Sequence, residues 1–210
     1  MDRTAIYTAF AEYYWLNNRE PESIAVFCEK AGIEPTVFKT QFLNFSNLKK
    51  QLLIDTFNGV WEKVEAVAEE HGYTNREKAL ALFFTLIEAF TPYKHYLKQV
   101  YGFKDLQAAV SDWRSFNHEF VAKTAFLNPD ERLQWLREKL PSKLTNEVNG
   151  LLVAWNYVFR VWMADESEDQ ATTDAAIEKT IHLYFDFANT DQLEKVLDFG
   201  KFVFSTKVKM

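Results

Sequence analysis

Apolar side chains return every three or four positions along this chain, and that regularity restricts the fold more than any other feature. From Leu144 they fall at Val148, Leu151, Leu152, Trp155, Val158, Phe159 and Trp162. A second run is Ile177, Ile181, Tyr184, Phe185 and Ala188, and a third is Leu48, Leu52, Phe57, Val60, Trp61, Val64 and Val67. Such steps place each set on one helix face. No segment alternates with the two-residue period of a strand, so the chain reads as all-α. Only six Gly and five Pro punctuate 210 residues, which excludes a turn-rich β sandwich and a disordered chain.

Start and stop signals give the helices their limits. Thr74-Asn75-Arg76-Glu77 is a capping-box pattern, and Asn128-Pro129-Asp130-Glu131 reads as a cap followed by Pro at the first helical position. Gly32, Gly72 and Gly102 sit where helices end. The spacing predicts helices over 3–17, 22–30, 35–42, 46–71, 75–90, 93–101, 104–124, 129–139, 142–164, 173–188 and 191–204. The acidic stretch Asp165 to Gln170 reads as an exposed loop.

Residues 22 to 42 carry the most informative local pattern. Ser23 to Lys30 forms a short amphipathic helix, Ala31-Gly32-Ile33 a tight turn, and Glu34 to Phe42 a second helix. Gly permits the positive φ at which the first helix ends, and Ile33 plugs the gap between the two. This is the layout of a helix-turn-helix, whose second helix can enter a DNA major groove.

The first ~70 residues resemble the TetR family of bacterial transcriptional regulators. The likeness rests on a first helix containing Phe10-Ala11-Glu12, on Ile24, Ala31, Gly32, Ile33 and Phe42, and on a helix opening near Leu48. It implies a three-helix DNA-binding head over 1–48 and a larger helical effector-binding and dimerisation domain over 49–210. It also implies a homodimer on operator DNA, with Thr36, Phe38, Lys39, Thr40 and Lys49 as DNA-contacting residues.

Three positions depart from the family pattern. Glu34 stands where Ser is usual, Lys39 or Phe38 where a phosphate-contacting Tyr is usual, and Phe45 where Lys is usual. Residues 1–50 hold six basic and six acidic side chains, whereas phosphate contacts normally require a basic footprint. A second reading therefore stands beside the first: a TetR-fold protein that binds a hydrophobic small molecule or lipid and has lost DNA binding.

The body is rich in rings. The chain holds 19 Phe, 9 Tyr and 6 Trp, concentrated over 75–124, where Pro92 interrupts the helical run. Ligand pockets are largely apolar with a few placed polar groups. Phe84, Tyr93, Tyr96, Trp113, Phe116, His118 and Phe159 are the candidate ligand-binding residues, with a filled core as the competing reading. The family's C-terminal helices pair between subunits, which points to Trp155, Trp162, Ile181 and Phe185 for the dimer interface.

Catalytic patterns are missing. There is no glycine-rich phosphate loop, no nucleophile elbow and no His-Glu-x-x-His motif, because position 122 is Ala. An enzyme, a metal site and a cofactor are not expected. Cys28 alone allows no internal disulfide and suits a reducing cytoplasm. The longest strongly apolar run, Ala79 to Ile87, is far shorter than the ~18 residues of a membrane span, and the first residues lack a signal-peptide pattern.

Overall fold

Local caps fix where the helices begin. The structure, a computed structural model, describes residues 2–101, 106–127 and 150–188. Helix α1 spans Arg3–Asn17, with the Asp2 side chain accepting from the Ala5 N–H. Helix α2 spans Ile24–Ala31, with Ser23 as its cap, and α3 spans Pro35–Gln41, with Pro at its start and no side-chain cap from Glu34. Asn44 caps the long α4, Phe45–His71. Thr74 and Glu77 form the expected capping box at the head of α5, Asn75–Phe90.

A single 3-10 turn, Thr91–Tyr93, then leads into α6, Lys94–Tyr101. Pro92 occupies this turn, where a missing N–H costs little. Helix α7 spans Leu106–Thr124, α8 Gly150–Ala164 and α9 Ala171–Ala188. The helices expected over 129–139 and 191–204, the first residues of that over 142–164, and Gly102 lie outside the described residues.

Two of the expected glycine stops are present. Gly32 has φ 65° and Gly72 φ 66°. In both, the next residue closes the helix: the Ile33 N–H donates to Cys28 O at 2.8 Å and the Tyr73 N–H to Ala68 O at 3.0 Å. These are Schellman closures, which satisfy carbonyls the helix end leaves open.

One continuous apolar core joins the first three helices to the rest. In the head, Phe27 packs edge to face on Phe10, Phe38 and Phe45, and Phe38 on Phe45, at 5.7–5.9 Å between ring centroids, while Phe10 and Phe45 are tilted to each other at 5.4 Å. Lower down, α4 packs on α5 and α7, and α8 on α9. Gly150 lets the start of α8 approach Tyr184 near the end of α9, since a Cβ there would collide with the Tyr184 ring. With the short 165–170 connection, this makes α8 and α9 an antiparallel hairpin.

The acidic connection is more than an open loop. Glu166 and Glu168 are exposed, but the Asp165 carboxylate accepts from the Ser167 N–H at 2.9 Å and from the Thr173 N–H at 2.8 Å. It also accepts from both hydroxyls at 2.5 Å. Partial burial pushes this carboxyl up, but the four hydrogen bonds outweigh it and hold the group well below the usual carboxylate range.

Candidate DNA face, aromatic interior and outer hairpin

Three surfaces bear on function. The first is the outer side of α3. Thr36, Lys39 and Thr40 are exposed and lie three and four residues apart, so they share one face. Phe38, expected to touch DNA, is instead fully buried against Phe27, Phe42 and Phe45. It holds α3 to the head rather than reaching outward. Phe45 is buried too, so the position where the family has a cation serves the core here.

Charge in the head is largely neutralised. Lys49 donates to Glu20 at 2.8 Å, Arg19 pairs with Glu22 at 3.2 Å, and Arg3 donates to Asp55 at 2.6 Å. Lys30 lies over the Tyr13 ring at 5.2 Å. Among the described basic residues up to position 50, Lys30, Lys39 and Lys50 enter no ion pair. Asp55 also accepts from Tyr7 Oη at 2.7 Å, and Arg3 reaches Gln41 O at the end of α3. This cluster clamps α1, α3 and α4 together. Burial first, and then the Asp55 carboxylate, push the Tyr7 hydroxyl far up, so it stays a proton donor. Cys28 is buried and burial raises its thiol, which makes it a packing residue.

The second surface is internal. Trp113 stands edge to face with Phe116 and with Phe159, each at 4.9 Å, and near Phe90 at 6.4 Å. Phe90, Phe116 and Phe159 in turn surround Trp155. Three of the expected ligand residues thus meet in one ring cluster. Tyr96 belongs to its border with the head, at 5.6 Å from Phe10 and 5.4 Å from Tyr14. Tyr101 links it to Trp113 at 5.6 Å and donates to Asp112 at 3.1 Å. Burial pushes the Tyr96 and Tyr101 hydroxyls well above their ordinary range.

The remaining expected residues stand elsewhere. Tyr93 is buried in the turn that packs on α1, and Phe84 is half-buried at the edge of the core. His118 is exposed to solvent and cannot orient a ligand in the interior. The reason is helical geometry, which turns position 118 about 200° from both Phe116 and Phe120.

The third surface is the outside of the α8–α9 hairpin. Trp155, Trp162 and Ile181 are fully buried within the chain and Phe185 is nearly so. They are core residues of one subunit rather than its interface. Trp162 Nε1 donates to Gln170 Oε1 at 2.7 Å. The apolar side chains that this hairpin presents outward are Val153, Tyr157 and Leu183, at 58%, 55% and 57% exposure. The period of α8 predicts this second stripe, since 153 and 157 are one turn apart, but a stripe that short is masked by its stronger neighbour.

Among the described residues, no three His, Cys, Asp or Glu side chains are grouped as a metal ion would need, and no helix is long and apolar enough to cross a membrane. Neither the curated proteins nor the solved structures give a match to this chain. A family model described as the tetracyclin repressor-like C-terminal domain matches residues 78–203, more than half of the 210 residues. That span contains α6 to α9 and most of α5, the ring cluster and the outer hairpin, and it lies behind a helix-turn-helix built on Gly32: the chain belongs to the TetR family.

Proposed function

We propose that the protein is a TetR-like, ligand-responsive transcriptional regulator that acts in the cytoplasm and binds operator DNA as a homodimer, without catalysis. Residues 1–48 form the DNA-binding head and 49–210 the effector-binding and dimerisation domain. The observation that carries this reading is the outer face of α3, where Thr36, Lys39 and Thr40 project from a helix whose inner face is sealed by Phe38. In this reading the seam between subunits is formed by Val153, Tyr157 and Leu183, and two-fold symmetry sets the spacing of two operator half-sites. An apolar or aromatic effector lodges at the Trp113–Phe116–Phe159 cluster. It acts by preferring one of two arrangements of the heads, which lowers or raises operator affinity by the same coupling energy.

The second reading, a binding module that has lost DNA contact, is favoured by the Lys49–Glu20 pair and by Phe45 in the core. Selection of genomic DNA fragments with the purified protein at low salt separates the two. Enrichment of a palindromic site, with affinity for it weakened by Lys39→Ala and unchanged by Lys30→Ala, supports the regulator. No enrichment, together with a hydrophobic molecule co-purifying in mass spectrometry, supports the binding module.

A further inference from the structure

The most buried part of the ring cluster contains an unused hydrogen-bond donor. Trp155 is fully buried and surrounded by Phe83 at 5.6 Å, Phe159 at 5.7 Å, Phe90 and Phe116 at 6.2 Å and Phe120 at 6.4 Å. Its Nε1 has no hydrogen-bond partner. A ring face such as that of Phe83 is at best a weak acceptor for an indole N–H. Leaving such a donor dry is costly, which is why buried polar groups are nearly always paired.

Other donors around the cluster are paired. The other fully buried indole, Trp162, donates to Gln170, the Thr124 hydroxyl donates to Phe120 O at 2.7 Å, and Tyr101 donates to Asp112. Trp155 Nε1, Tyr96 Oη and Arg76 Nε are the buried side-chain donors left without a partner among the described residues, and of these Trp155 Nε1 is the one enclosed by the ring cluster.

The surroundings restrict what can complete it. Its five neighbours are rings, so the complementary surface is flat and apolar. Trp113 and Phe159, half-buried and edge to face, are the more exposed rings of the cluster. No described cation is free inside to hold an anion. Lys98, Arg114 and Arg160 are exposed, and Lys94 donates to Asp165 O and lies over Trp162. The one buried acid in this sector, Asp112, accepts from Tyr101 and repels a second negative charge.

We propose that the effector of the aromatic interior is a neutral, flat aromatic molecule carrying a hydrogen-bond acceptor, and that Trp155 Nε1–H is the donor that selects it. This rests on the reading of the interior as a ligand site. A carbonyl oxygen or a ring nitrogen meets the requirement, whereas a carboxylate does not.

The test uses three probes of similar shape on the full chain: naphthalene, quinoline and 1-naphthoate, with affinities from calorimetry or melting shifts at pH 7.5. Quinoline differs from naphthalene by one ring nitrogen, which is unprotonated at this pH. The expected result is quinoline binding about tenfold tighter than naphthalene, as one net hydrogen bond gives, with 1-naphthoate the weakest. In Trp155→Phe the quinoline-to-naphthalene ratio falls to about one. The ratio, not the absolute affinity, is the readout, so loss of packing in the variant does not imitate the effect. The wild-type comparison stands even if that variant fails to fold.

Equal binding of quinoline and naphthalene by the wild type overturns the acceptor inference while leaving a ligand site. A ratio that persists in Trp155→Phe, or 1-naphthoate binding tightest, also overturns it. Failure of all three probes to bind up to their solubility limits overturns both the inference and the ligand reading beneath it.

Discussion

Replacing Asp165 by Ala removes one carboxylate and leaves four donors without their acceptor. The losses are unequal. Ser167 is exposed, so water replaces what its N–H and hydroxyl give up. Thr173 is fully buried, and its N–H and hydroxyl both donate to Asp165. Loss of a cap costs about 1 kcal/mol, and stranding a buried donor costs about 1–3 kcal/mol. The sum is about 2–4 kcal/mol, which for a chain of this size corresponds to about 5–15 °C in Tm. Thermal unfolding of the wild type and Asp165→Ala at pH 7 measures it.

The pH dependence gives a second check. The folded pKa is depressed, so the carboxylate's stabilisation is fully present above its unfolded value of about 3.9. It is lost as pH falls below that, towards the lower folded value. The gap between wild type and variant is thus constant from pH 5 to 7 and shrinks below pH 4. A Tm change under 1 °C at pH 7, or a gap that widens in acid, would refute the account of this corner as a cap on α9.

Other outcomes follow from the same geometry. Tyr157→Arg places two like charges at the proposed seam and weakens dimerisation at least ~30-fold, the scale of an interface hot spot, so sedimentation at micromolar concentration gives a 24.6 kDa monomer. Glu20→Gln frees Lys49 from its ion pair and steepens the log–log salt dependence of DNA binding by about 0.9, one phosphate contact. Lys39→Ala makes that slope shallower by about the same amount and weakens all sequences alike. Phe38→Ala costs about 3–5 kcal/mol of stability in the head, as truncation of a fully buried Phe does, whereas Thr36→Ala leaves the melting curve unchanged.

Helix limits were the most legible part of the sequence, because caps act locally. Thr74, Gly32 and Gly72 each set a boundary through contacts within a few residues. The all-α architecture followed from the apolar period for the same reason. Partners distant in sequence were not legible. Lys49 and Glu20 are 29 residues apart, so the loss of a head cation had no local signature. Periodicity also states which side chains leave water, not which chain covers them. Trp155 and Phe185 suit a subunit seam and a subunit core equally well, and the structure puts them in the core. His118 was a different kind of error. Its distance from Phe116 in sequence hid its place on another side of α7, which the 100° step per residue already foretells.

The proposed mechanism requires the interior to act on the heads, and two connections among the described residues bear on it. Helix α4 runs unbroken for 27 residues, about 40 Å at 1.5 Å per residue. Its Leu48 and Leu52 belong to the core near the head, and Phe57 and Trp61 pack against α7 rings and Phe126. Bending it would unpack both ends, so head and α4 move together as one lever. The second connection is the first turn of α6, where three successive residues hold two different parts of the fold, the α8–α9 corner and α1. Lys94 donates to Asp165 O at 3.2 Å on the α8–α9 corner. His95 stacks on Trp15 of α1 at 5.3 Å, and Tyr96 packs on Phe10. A molecule that parts Trp113 from Phe159 also displaces the ring next to Tyr101, which touches Tyr96 at 6.4 Å. Contact continuity of this kind is not itself coupling. What gives it force is that α6 is only eight residues long and is pinned at its start to the corner that Asp165 braces. In the proposed mechanism a push at Tyr101 is resisted on the α8–α9 side by the Lys94 contact and passes to α1, on which α6 also packs.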